Sequence, residues 1–83
     1  MDVEREVITT LAQVLDLGKR ASGFTAQTPL LGSVPELDSM AVATLITTLE
    51  ERFGFTVDDD EIDGSAFATV GSLTRFVESK LAA

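Results

Sequence analysis

Apolar side chains recur at helical spacing in three stretches of the chain, residues 2–16, 39–53 and 70–82. Within each stretch they follow steps of three and four residues, which places them on one face of an α-helix. These positions are Val3, Val7, Leu11, Val14 and Leu15, then Val42, Leu45, Ile46, Leu49 and Phe53, then Val70, Leu73, Phe76, Val77 and Leu81. The pattern predicts three amphipathic helices that bury their apolar faces against one another.

Residues that favour helix ends border these stretches. Gly18 marks the end of the first helix, and Gly54 follows the last apolar position of the second. Asp38 or Ser39 caps the start of the second helix, and Thr69 caps the third stretch.

The segments between these helices differ in character. Residues 17–38 hold three glycines and both prolines without a clear period, which predicts a long loop with one short helical turn near residues 28–31. Its apolar anchors are Phe24, Leu30, Leu31, Val34 and Leu37. Residues 59–66 predict a short helix that Asp58 caps, with Ile62 pointing inward and Gly64 limiting its length. The predicted fold class is therefore all-α, a four-helix bundle with a long first loop and a short third helix, and residues 1–83 form a single domain.

Composition narrows the possible functions. The chain contains no Cys and no His, so it lacks a thiolate nucleophile and the commonest general base, and we expect no enzymatic activity. The formal net charge of −8 disfavours nucleic acid and anionic membranes and favours partners with basic surfaces, although the same charge can serve solubility alone. The first residues are charged and no apolar stretch reaches membrane-spanning length, so we expect a cytoplasmic monomer that does not insert into membranes.

Ser39 is the clearest candidate for a chemical role. It places a primary hydroxyl at the start of the most strongly patterned helix, directly after the long loop. Free backbone N–H groups and the positive end of the helix dipole favour a phosphate at such a position. The alternative is that Asp38 and Ser39 form an ordinary helix cap.

Three segments together resemble the acyl carrier protein family: residues 37–40 (LDSM), 49–55 (LEERFGF) and 68–73 (ATVGSL). The resemblance covers nearly the whole chain in the same helix order. It implies that Ser39 carries 4′-phosphopantetheine, transferred from coenzyme A by a phosphopantetheinyl transferase, with Asp38 as part of the attachment motif. It further implies a non-catalytic role in lipid or fatty acid biosynthesis, in which an acyl-activating ligase or acyltransferase loads the thiol of the arm as a thioester.

The chain departs from the family pattern on the second helix. Met40 replaces the usual Leu, and the outward positions include Ala43, Thr44 and Thr47, where typical fatty-acid carriers have more acidic residues. Carboxylates return only at Glu50 and Glu51. We take these six residues as the candidate partner-binding face. Residues 36–42 (ELDSMAV) and 58–64 (DDDEIDG) look like carriers of exosortase or extracellular-polysaccharide systems.

Two alternatives to an acyl carrier stay open on the residues alone. An aminoacyl or peptidyl carrier of the D-alanyl type would share the fold and the arm, and an unmodified helical interaction module would share only the fold.

A calcium loop beginning at Asp59 is rejected, because its twelfth position, which requires a carboxylate, is Val70. We therefore expect no metal site.

Overall fold

The computed structural model describes residues 2–58 and 60–82 and confirms the all-α class. Helix α1 spans Val3–Leu15, α2 spans Ser39–Phe53 and α3 spans Val70–Ala82. Two 3₁₀-helices, Gly18–Gly23 and Gly64–Phe67, lie between them, and the second is the short third helix of the bundle. Within the described residues no strand forms, and the only extended pairing is an isolated bridge between Pro29 and Thr69.

Helix α1 packs against both α2 and α3, so the core lies along its inner face. Val7 and Leu11 of α1, Leu45 of α2, and Leu73 and Val77 of α3 are completely buried. These residues belong to the stripes predicted from the spacing. The stripe ends are less buried: Leu81, near the end of α3, is exposed.

The long loop is held by backbone hydrogen bonds to the segment that enters α3. Leu30 N–H donates to Ala68 O at 2.9 Å, and Leu31 N–H donates to Phe67 O at 3.0 Å. In the opposite direction, Val70 N–H donates to Thr28 O at 3.0 Å. These bonds satisfy backbone groups that a loop would otherwise leave to water, so this part of the loop is a fixed layer of the fold.

The structure corrects several details of the loops. The first loop contains a 3₁₀-helix at Gly18–Gly23, whereas the turn expected at residues 28–31 is replaced by the extended pairing of Pro29. Leu30, Val34 and Leu37 are buried anchors as predicted, but Leu31 is 48% exposed.

The short third helix begins later than predicted. It covers Gly64–Phe67, and its cap is Asp63 rather than Asp58, because the Asp63 carboxylate accepts the Ser65 N–H at 3.0 Å. Asp59, the predicted first residue of this helix, lies outside the described residues. Among the helices that the structure describes, none is long and apolar enough to cross a membrane.

Candidate functional site

Asp38 and Ser39 have separate tasks at the start of α2. The Asp38 carboxylate caps the helix by accepting the Ala41 N–H at 2.8 Å, and the Asp38 carbonyl accepts the Val42 N–H at 2.9 Å. Ser39 is the first helical residue and is exposed to solvent. Because Asp38 supplies the cap, the Ser39 hydroxyl is free for another purpose.

A short folded turn positions these two residues. Val34 N–H donates to Leu30 O at 2.9 Å and Leu37 N–H donates to Val34 O at 3.0 Å, and all three side chains are buried. Beside this turn, Glu36 forms a two-pronged ion pair with Arg20 of the first 3₁₀-helix. The hydrogen bond from Arg20 lowers the pKa of the Glu36 carboxyl. The segment before Ser39 is thus anchored on one side by the core and on the other by an ion pair.

A cavity of about 340 Å³ opens next to Ser39. It is lined by Leu31, Ser39, Val42, Ile62, Asp63, Gly64 and Phe67. Most of these side chains are apolar, which also explains why Leu31 is partly exposed: it lies at the wall of the cavity and not in the core. A recess of this chemistry suits an apolar ligand.

One carboxylate, that of Asp63, lines the cavity, and Glu61 lies two residues before it along the chain. The Asp63 pKa is lowered, first by the hydrogen bond from the Ser65 hydroxyl. The Glu61 pKa is also lowered, first by the hydrogen bond from Lys80 Nζ at 2.6 Å. Both groups are therefore ionised at neutral pH, and the Lys80 contact joins the residues before the short helix to the end of α3.

The candidate partner-binding face is only partly a continuous surface. Met40, Ala43, Thr44, Thr47 and Glu51 are exposed along one side of α2. Glu50 differs, because it is half-buried and its Oε2 accepts the Val57 N–H at 2.7 Å. Glu50 therefore holds the connection after α2, and Glu51 is the carboxylate of this set that stays fully exposed.

No group of three or more metal-ligating side chains that could hold an ion occurs within residues 2–58 and 60–82. Among the described residues of this acidic run, Glu61 N–H donates to Asp58 O at 3.0 Å, and Asp63 caps the short helix.

The sequence indicated Ser39 and Asp38 but did not predict that a cavity lies beside them. Leu31 and Phe67 are distant from Ser39 along the chain, and local periodicity carries no signal that they meet. Ile62 gave the one usable signal, because it is an isolated apolar residue between Glu61 and Asp63. It was predicted to point inward, and it is half-buried, packs against the core and also lines the cavity.

Comparisons with known proteins agree with this arrangement. Residues 5–77 match the family model described as "Phosphopantetheine attachment site". An acyl carrier protein of Sulfurovum sp. is 35% identical over 78 residues, which cover 94% of this chain and 92% of that protein. An acyl carrier protein of Exiguobacterium sp. is 34% identical over 65 residues, or 78% of each chain. The solution NMR structure of a holo acyl carrier protein from Nitrosomonas europaea covers both chains completely, with 53% identity and a TM-score of 0.92.

Proposed function

The chain belongs to the acyl carrier protein family, and we propose that Ser39 is the residue to which its 4′-phosphopantetheine group is attached. The observation that supports this assignment is that Asp38 and Ser39 have different roles at the start of α2. Asp38 caps the helix through Ala41 N–H, which leaves an exposed hydroxyl at a helix N-terminus beside an apolar cavity.

The other serines support the choice by contrast. Four of them already donate their hydroxyls to a neighbouring carbonyl or carboxylate: Ser22, Ser65, Ser72 and Ser79. Ser33 is exposed, but it lies in a loop turn and not at the start of a helix. Ser39 alone combines exposure with the first position of an α-helix, where the backbone favours an attached phosphate.

The residues around Ser39 fit the group. In the transfer from coenzyme A, a bond forms between Ser39 Oγ and phosphorus, the hydroxyl proton leaves, and adenosine 3′,5′-bisphosphate departs. Once attached, the group supplies the thiol that a chain without Cys lacks, and this thiol carries an acyl group as a thioester. Asp38 fixes the helix start, and Leu31, Val42, Ile62 and Phe67 offer an apolar wall to cargo.

The family implies two kinds of partner, a phosphopantetheinyl transferase and enzymes that load or process acyl groups. We further propose that these enzymes dock on the exposed residues of α2, Met40, Ala43, Thr44, Thr47 and Glu51, and that the protein acts in the cytoplasm as a monomer in a specialised acyl pathway. An aminoacyl cargo is the competing proposal, because an aminoacyl carrier would share the fold and the arm.

Intact-mass spectrometry tests the attachment site. Incubating the apo-protein with coenzyme A, Mg²⁺ and a phosphopantetheinyl transferase should add one phosphopantetheine to the wild type and to the matched control Ser33→Ala. The Ser39→Ala variant should gain no mass. Undiminished labelling of Ser39→Ala would overturn the assignment.

A panel of acyl- and aminoacyl-activating ligases, offered the holo-protein, then identifies the class of cargo. Preferential loading by an aminoacyl-activating ligase would overturn the acyl assignment and leave the attachment site intact.

A further inference from the structure

A series of hydrogen bonds connects the first 3₁₀-helix to the first turn of α2. The Arg20 guanidinium donates to both oxygens of the Glu36 carboxylate, and its second contact, from Nη2 to Oε1, is 3.1 Å long. The Glu36 carbonyl accepts the Asp38 N–H at 3.1 Å, and the Asp38 carboxylate accepts the Ala41 N–H at 2.8 Å. Ser39 directly follows Asp38 along the chain, so the position of its hydroxyl depends on this series.

The Arg20 end of the series is fixed to α1. Arg20 N–H donates to Leu17 O at 3.2 Å, and Leu17 N–H donates to Ala12 O of α1 at 3.0 Å. The side chains of Leu17 and Ala21, on either side of this residue, are buried. The guanidinium therefore projects from a backbone that is held in place, and its ion pair connects the end of α1 to the segment that enters α2.

The ion pair supplies an orientation that core packing of this segment does not. Leu37 is buried, but an apolar contact is non-directional. A two-pronged contact between Arg and a carboxylate fixes an angle as well as a distance. The Arg20 and Glu36 side chains are 54% and 36% exposed, and such exposed pairs contribute little to overall stability. The effect of this pair is therefore local, on the direction in which the chain enters α2.

We propose that Arg20 and Glu36 are positioning residues for the transfer of phosphopantetheine to Ser39. Their ion pair holds the start of α2 in the orientation in which Ser39 Oγ attacks the phosphorus of coenzyme A. This inference rests on the proposed function of Ser39. Neither side chain touches the reacting atoms; they act through Asp38, and a small error in the placement of a nucleophile is enough to slow a reaction.

Charge reversal separates positioning from direct contact with the enzyme. Arg20→Glu and Glu36→Arg each place like charges side by side, whereas the double variant restores an opposite pair. The measurements are kcat and KM of a phosphopantetheinyl transferase that modifies the wild-type chain. Each single variant should lower kcat by about twofold to fivefold with little change in KM, and the double variant should recover most of the loss.

A matched control and two further readouts complete the test. Lys19→Gln removes the neighbouring positive charge of the same 3₁₀-helix and leaves the ion pair in place, so it should keep the wild-type kcat. The ratio of wild-type to single-variant kcat should shrink at high salt, because salt screens exposed charges. Val42 N–H, which donates to Asp38 O at 2.9 Å, should exchange its hydrogen faster in the single variants. Circular dichroism excludes loss of fold as the cause.

The outcomes distinguish this inference from the assignment of Ser39. If the wild type gains no mass while a control carrier is labelled, the proposed function fails and this inference fails with it. If the wild type is labelled but the single variants keep its kcat, Arg20 and Glu36 do not position Ser39. A loss confined to KM that the double variant does not recover would show instead that the two side chains contact the enzyme, and it would also overturn the inference.

Discussion

Gly71 is the position at which the structure predicts a large effect from adding one methyl group. It is buried near the start of α3, and its N–H donates to Ala26 O of the long loop at 2.8 Å. A Cβ atom at this position would lie 2.9 Å from the same oxygen and 3.4 Å from the Ala26 Cβ. The neighbour is backbone, so it cannot yield by a change of rotamer.

Two opposing effects set the magnitude for Gly71→Ala. Helix propensity favours Ala over Gly by at most about 1 kcal/mol. Forcing a methyl into a packed contact costs about 1–3 kcal/mol, and here the displaced loop also carries a hydrogen bond. We expect a net loss of about 1–2 kcal/mol in the free energy of unfolding, or a fall in Tm of roughly 4–15 °C for a domain of this size.

Urea unfolding followed by far-UV circular dichroism measures this loss, and it suits a chain without Trp or Tyr. Gly23→Ala is the matched control, because nothing lies within 4 Å of a Cβ there and its backbone is not left-handed. That control should be neutral or stabilising by up to about 1 kcal/mol. If Gly71→Ala is as stable as Gly23→Ala, the close approach of the loop to α3 is wrong.

Three further predictions concern the core, the cap and acid stability. Leu45→Ala removes a completely buried side chain and should lower the free energy of unfolding in urea by about 2–5 kcal/mol. Ser39→Ala should lower it by at most about 1 kcal/mol. Equal losses in the two variants would contradict the assigned buried face of α2. Asp38→Ala removes the cap of α2 and should cost about 1 kcal/mol, so a Tm unchanged from wild type would show that the cap is supplied elsewhere. The lowered pKa of Glu61 means that its contact with Lys80 stabilises the fold at neutral pH and is lost as pH falls from about 4.5 through the lower folded-state pKa. Lys80→Met should therefore reduce stability at neutral pH but not at strongly acidic pH, and an equal loss at both would reject the ion pair as the cause.

The helices could be predicted from the sequence because each depends on local periodicity and local caps. The stripe through Leu45 and Leu49 fixed both the extent and the buried face of α2. The loop details could not be predicted, because they depend on partners remote along the chain. Leu31 is apolar and was predicted to anchor the loop, but it is exposed, and the hydrogen bond from its N–H to Phe67 O brings it to the wall of the cavity.

The same dependence on remote and backbone partners applies to the exposed side of α2, whose chemistry the sequence alone does not predict. Sequence shows threonines at positions 44 and 47, and a threonine presents a hydroxyl or a methyl depending on its χ1 rotamer and its backbone neighbours. In α2 the carbonyl oxygens four residues earlier take the hydroxyl protons, so the helix itself selects the apolar presentation. Likewise, Glu50 counts as a surface charge in the sequence but is bonded to Val57 N–H in the fold. The helix backbone and the loop that follows it therefore determine which groups α2 exposes beside Ser39, and the sequence alone does not show this.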